Sequence, residues 1–236
     1  AEIVFREAKN DDGEKLMASH HPNSDLLMSY GVGALGESWS LALATHLTLC
    51  PSCRSIVDTV EEFGGALLED LEPDSMSVEG LESIMAKLDE PSKPAEFKPS
   101  VPAQTILPRP LRDYVGDDVD AVQWKSIGGG VCHFTVLAND SGQAHLLKIP
   151  VGRPVPEHGH NGREMTLVLA GSFKDEFGSF SRGDVQDVDQ DTVHQPVAGM
   201  VEDCICLAVT DAPLDFKSFL PRLAQPFIRR FLNVNL

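Results

Sequence analysis

The chain has 236 residues, 42% of them hydrophobic, and 36 acidic against 19 basic side chains give a formal net charge of -17. That balance argues against nucleic acid as the direct ligand, because phosphate contact needs a basic face. The length suits one large domain or two modest ones, no apolar run reaches membrane-spanning length, and five cysteines without disulfide spacing fit a reducing cytoplasm.

Residues 1–19 are polar, lack a basic n-region and an apolar h-region, and read as a flexible segment rather than a signal peptide. Residues 1–90 hold 18 acidic side chains against 5 basic ones, so the negative charge is concentrated there. An acidic unit of this kind suits a basic protein partner. Ser24-Asp25 marks a helix start, followed by Leu26, Leu27, Met28 and Tyr30 and a stop near Gly31–Gly36. A second helix begins at Glu37-Ser38 and carries Leu41, Leu43, His46 and Leu49. A third starts at Pro51 with Ile56, Val57, Val60, Phe63, Leu67 and Leu68 at helical spacing, and Gly64-Gly65 is a candidate kink. A fourth, shorter amphipathic helix spans 77–88, with Leu81, Ile84, Met85 and Leu88 on one side. The connecting loops are short, so neighbouring helices are expected to pack closely.

The junction of the second and third helices reads His46-x3-Cys50-x2-Cys53. His46 and Cys50 stand one helical turn apart on the same face, and Pro51 breaks the helix so that Cys53 can turn back toward Cys50. Three soft ligands then converge where a tetrahedral Zn2+ needs one more. The fourth candidate is in His20-His21, and spacing does not choose between the two. A thioredoxin-type redox pair would want a βαβ context, and the flanks here are helical. A pair of unrelated core cysteines would leave His46 at ligand spacing by accident. The motif reads as a structural zinc site stapling a helical domain over 20–88.

Residues 89–110 contain six prolines and read as an extended linker. Beyond it, over 111–236, the hydrophobic period becomes two. Strand-like runs at 122–127, 131–137, 144–149, 165–169, 192–197 and 204–209 alternate with Gly, Pro, Asn and Asp turns, as in an all-β sandwich or barrel. The last stretch, PRLAQPFIRRFL, is a short helix or strand. Within the β region, Gly152-x5-His158-x-His160-x3-Glu164-x6-Gly171 places two histidines on one face of a strand. Glu164 follows an Asn161-Gly162 turn and is expected to face them across a hairpin. His194 is a fourth candidate, and three imidazoles with one carboxylate suit a divalent first-row metal. Cys204 and Cys206 share a strand face in an apolar run and read as buried core, and Trp39 and Trp124 read as core anchors.

The glycine-bounded histidine pattern resembles the first cupin motif, and cupins are double-sheet jelly rolls. In the second motif Gly183 and His194 keep their places, while Asp189, Asp191 and Ala198 stand where the family usually has Pro, Gly and Asn. Helical metal motif, Pro-rich linker and cupin together resemble the ChrR-type zinc-binding anti-sigma factors. Longer strings carry that likeness: HHPNSDLLMSYGVGALGESWSLALATHLTLCPSC, HGHNGREMTLVLAG and CICLAVTDAPLDFKSFLPRL. The resemblance implies a multidomain α plus β protein with His21, His46, Cys50 and Cys53 as zinc ligands. It also implies His158, His160, Glu164 and His194 as ligands of a cupin metal, Zn2+ first, with Mn2+, Fe2+ or Ni2+ as alternatives. The helical domain would sequester a sigma factor of the extracytoplasmic-function group. The cupin would sense an oxidant such as singlet oxygen, so the protein would not be an enzyme. The rival reading is a metal-dependent cupin oxygenase or isomerase, which would use an open metal position.

Overall fold

The computed structural model describes residues 18–75, 77–89, 105–211 and 214–216. The segment 1–17, most of the Pro-rich stretch (90–104) and the terminal PRLAQPFIRRFL lie outside the described residues. No helix among the described residues is long and apolar enough to cross a membrane.

Four helices come first: α1 (Ser24–Gly31), α2 (Glu37–Leu49), α3 (Pro51–Glu69) and α4 (Val78–Asp89). Pro51 opens α3, where its missing N–H costs nothing, and the Cys50 backbone between the two helices is extended. Gly64-Gly65 does not interrupt α3, which runs as helix through both glycines. Close packing holds for α1, α2 and α3. It fails for the outer half of α3 and for α4, where Phe63, Leu67, Leu68, Leu81, Ile84, Met85 and Leu88 are each at least half exposed. The amphipathic stripe that makes these helices legible is here a face without a partner among the described residues.

A fifth helix, α5 (Arg109–Val115), precedes the β region and packs on α2, with Leu107 and Leu111 fully buried and the Tyr114 hydroxyl donating to Glu37 at 2.7 Å. Twelve strands follow among the described residues. The large antiparallel sheet has the order β1 (Lys125–Gly128), β2 (Val131–Asn139), β3 (Gly142–Ile149), β11 (Cys204–Thr210), β5 (Glu164–Ala170), β8 (Val185–Val188). One small sheet orders β10 (Val197–Ala198), β6 (Ser172–Asp175) and β7 (Gly178–Ser181). The other orders β12 (Leu214–Phe216), β4 (His158–His160) and β9 (Val193–His194).

Alternation along the large sheet assigns its two faces. Val168, Cys204 and Cys206 pack with Phe173, Phe180 and Ala198 of a small sheet to fill the barrel. The opposite face, with Ala144, Leu146, Met165, Leu167, Leu169, Leu207 and Val209, packs against Leu26, Trp39, Leu41, Ala42 and Leu43. Helix α2 is therefore covered on nearly every side, as expected of a helix apolar around most of its circumference. The helical unit shares its main core with the barrel's outer face, so its fold does not rest on a metal staple alone. Trp39 is a core anchor, with Trp124 packed partly buried at the edge of the same cluster, and Cys204 and Cys206 are buried.

Two candidate metal centres

The first cluster forms where α2 ends. His21, His46, Cys50 and Cys53 each present one ligand atom, and these atoms lie within 4.8 Å of one another. His21 Nδ1 is 3.4 Å from Cys50 Sγ and 3.3 Å from Cys53 Sγ. His20 instead sets its ring 4.5 Å from that of Phe180 and its Nδ1 3.7 Å from Asp184, so the fold separates the two neighbouring imidazoles. His46 Nδ1 donates to the Gly183 carbonyl at 3.0 Å, which leaves Nε2 unprotonated. That Nε2 is buried without a hydrogen-bond partner, an arrangement a metal ion explains. Both thiols are buried. The hydrogen bond from Cys53 holds the Cys50 thiol far below its ordinary range, with His21 and His46 assisting against burial, and Cys50 and burial push Cys53 up. Binding a cation would take both cysteines as thiolates and release their protons. Two imidazoles and two thiolates form a tetrahedral donor set suited to zinc.

The second cluster lies inside the barrel. His158 and His160 point to one side of β4, and His194 comes from the neighbouring β9. His158 Nε2 is 3.2 Å and His160 Nε2 3.3 Å from His194 Nε2. His158 Nδ1 donates to the Pro156 carbonyl at 2.8 Å, and His194 Nδ1 donates to the buried Asp175 carboxylate at 2.8 Å. Their Nε2 lone pairs therefore face each other, which is repulsive unless a cation lies between. Glu164 reaches the group with Oε2 3.5 Å from His160 Nδ1, while its Oε1 accepts from Thr166 at 3.1 Å. The expected hairpin is not formed. β4 pairs with β9 and β12, whereas β5 pairs with β11 and β8, so Asn161-Gly162 carries the chain from one sheet to the other. Glu164 faces the imidazoles across the barrel interior rather than along a ladder.

All four side chains are buried. Burial lowers His158, and burial followed by His158 and His194 takes His160 down to about 4. Burial also pushes the Glu164 carboxyl up, against His158 and the Thr166 hydroxyl. Metal binding requires neutral imidazoles and an ionised carboxylate, and the lowered His158 and His160 suit it.

Sequence reasoning identified both quartets and missed their supports. Asp175 orients His194 and is itself held by Gln186 at 2.6 Å. Asp189, standing where the cupin pattern has proline, accepts from the Asp191 N–H and the Thr192 hydroxyl, each at 3.1 Å. An aspartate turn thus supplies the bend that brings in His194. In the sequence Asp189 stood out only as a departure from the cupin motif, and nothing marked Asp175.

The fold and the two clusters define a class: a helical module with one candidate metal cluster, seated on the outside of a single cupin barrel with a second candidate cluster in its interior. The family model of the ChrR cupin-like domain matches residues 113–213. The chain is 46% identical over 211 residues to the anti-sigma-E factor ChrR of Cereibacter sphaeroides, covering 89% of this chain and 98% of that protein. It is also similar to the ChrR chain in the crystal structure of Rhodobacter sphaeroides SigE in complex with the anti-sigma ChrR. The TM-score there is 0.72 at 42% identity, over 83% of this chain and all of that one. The chain belongs to the ChrR family of anti-sigma factors.

Proposed function

We propose that α1 to α4 sequester a sigma factor of the extracytoplasmic-function group, away from core RNA polymerase, and that the cupin releases it in response to an oxidant such as singlet oxygen. The observation that carries the reading is the apolar face of the outer helices, which has no partner among the described residues. Leu81, Ile84, Met85 and Leu88 recur at helical spacing and are 50–73% exposed, and Phe63, Leu67 and Leu68 on α3 add to them. A stable fold does not leave such a stripe in water without use. Amphipathic helices of this kind lie in apolar grooves of a partner. The acidic excess around the stripe suits a partner with basic surfaces. The similarity to a chain crystallised with its sigma factor supports the same reading.

Zn2+ at His21, His46, Cys50 and Cys53 would hold the start of α3 and the segment before α1 together. The cupin quartet His158, His160, Glu164 and His194 would take a divalent first-row ion, Zn2+ first, with Mn2+, Fe2+ or Ni2+ as alternatives. That ion would supply the site with its oxidant-sensitive coordination, while the chain orients its ligands through Pro156, Asp175 and Thr166. The protein is then a regulator and not a catalyst, and works in the cytoplasm where sigma factors act.

The test is affinity for a purified sigma factor of this group. Ile84→Glu/Leu88→Glu should weaken binding at least 100-fold while zinc content stays at the wild-type level. Wild-type affinity in that double variant would remove α4 from the interface. No binding by the wild-type chain to any such sigma factor of its own cell would remove the function.

A further inference from the structure

The helical ligands do not complete their own site. His21 sits in a short stretch before α1, without helical hydrogen bonds to fix its backbone, and the barrel supplies what is missing. The Asp184 carboxylate is fully buried and accepts from the backbone N–H of Ser19 at 2.6 Å and of His20 at 3.0 Å. On its other side it accepts from the Ser181 N–H at 2.8 Å and the Ser181 hydroxyl at 2.9 Å. The next residue, Val185, donates its N–H to the His20 carbonyl at 3.0 Å. The residue before the ligand is thus held at both its N–H and its C=O. One position earlier, the Gly183 carbonyl accepts from His46 Nδ1. Gly183 has φ +88°, so its carbonyl takes this direction through a backbone conformation that disfavours any side chain. A Cβ there would meet only Leu49 and Ala18 at 3.7–3.8 Å, so the constraint is the dihedral and not the space.

We propose that the cupin turn 181–185 is the outer coordination shell of the helical metal site, with Asp184 as the positioning residue for His21 and Gly183 orienting His46. The inference rests on the zinc reading above. It assigns a metal-tuning role to residues of the β domain more than 130 positions downstream of the ligands they support. Outer-shell partners typically change metal affinity about 10–100-fold when removed.

The experiment uses full-length protein loaded with zinc and challenged with a chromogenic chelator, together with Co2+-substituted samples read by their visible thiolate and ligand-field bands. Asp184→Asn replaces an acceptor by an amide facing two N–H donors. It should release zinc from the helical site at a roughly 10–100-fold lower chelator concentration and shift the Co2+ bands. Metal at the barrel quartet should stay in place. Asp203→Asn, a carboxylate that instead accepts from the Val151 N–H and pairs with Lys148, should leave zinc retention unchanged. Should Asp184→Asn fail to fold, Ser19→Pro removes one donor to the same carboxylate and should still weaken retention several-fold. Zinc retention within twofold of wild type in a folded Asp184→Asn or Ser19→Pro protein overturns the inference. Wild-type protein without zinc at the helical cluster overturns the zinc reading itself, and that outcome is read before any variant is made.

Discussion

Arg163, beside the barrel ligand Glu164, connects the barrel to α1. Its guanidinium donates to both oxygens of Asp187 at 2.7 Å and to Asp25 on α1 at 2.9 Å. The two arms differ in weight. Asp25 is 64% exposed and its pairing is screened by water, whereas Asp187 is 8% exposed and held by a two-bond fork. Removing the arginine takes the counter-charge from a nearly buried carboxylate and leaves it the neutral Asn23 amide at 2.8 Å, so Arg163→Ala should cost about 2 kcal/mol, read as a lower urea midpoint. Lysine should restore little of it, since an ammonium cannot reproduce the fork. His145 gives a pH dependence separate from the metal ligands. Burial first, and then His133, lowers it from 6.5 to about 4. The unfolded chain therefore binds this proton before the folded one does. Stability is fully present above the unfolded value and is lost as pH falls from about 6.5 toward 4. At about 1.4 kcal/mol per pH unit, trimmed for its partial exposure, the loss is roughly 2 kcal/mol. His145→Gln should flatten the midpoint-against-pH curve over that interval.

At the scale of elements, legibility in the sequence followed the length of the repeating signal. The helices α1 to α3 were readable because apolar residues recur through several turns between clear starts and stops. The strands β2, β3, β5 and β11 were readable because each alternates or runs apolar for seven or more residues. β6, β7 and β8 were not, because each is four residues long and the first two bury little besides Phe173 and Phe180. Seven of the eight clustered side chains stood out by residue type and local spacing, whereas His21 was separated from His20 only by the resemblance. Asp175, Asp184 and Arg163 did not stand out, because their partners are set by tertiary contacts and their types are those of any polar turn. The same reasoning revises what removing zinc should do. The packing of α2 against the sheet does not depend on the metal, whereas the residues before α1 and the first turn of α3 lean on it. Chelation should raise amide exchange at 18–23 and 51–57 and leave 39–47 protected. Loss of protection throughout α2 would show that the metal, and not the shared core, holds the helix in place.

For the whole molecule, the shared core decides how the helical and β parts respond to stress. Two units joined only by a Pro-rich segment would unfold independently, each with its own midpoint. Here Leu41, Ala42 and Leu43 of α2 interdigitate with Ala144, Leu146, Leu167 and Leu207 of the sheet, and Ser38 donates its buried hydroxyl to the Gly142 carbonyl at 3.1 Å. Breaking that contact exposes apolar surface on both sides at about 25 cal/mol per Å2, so neither side gains by opening alone. The two tryptophans make this measurable, because Trp39 lies on α2 and Trp124 just before β1. Single-tryptophan proteins, Trp39→Phe and Trp124→Phe, should each show one urea transition, and each should coincide with its own circular-dichroism transition. Leu43→Ala, removing a fully buried side chain at the junction, should lower both transitions together, by about 2–4 kcal/mol. If only the Trp39 signal shifts, the helical module opens on its own. Release of a bound partner would then need no message from the barrel. Coincident shifts would mean that a disturbance inside the barrel is felt at α2 and, through His46, at the helical metal cluster.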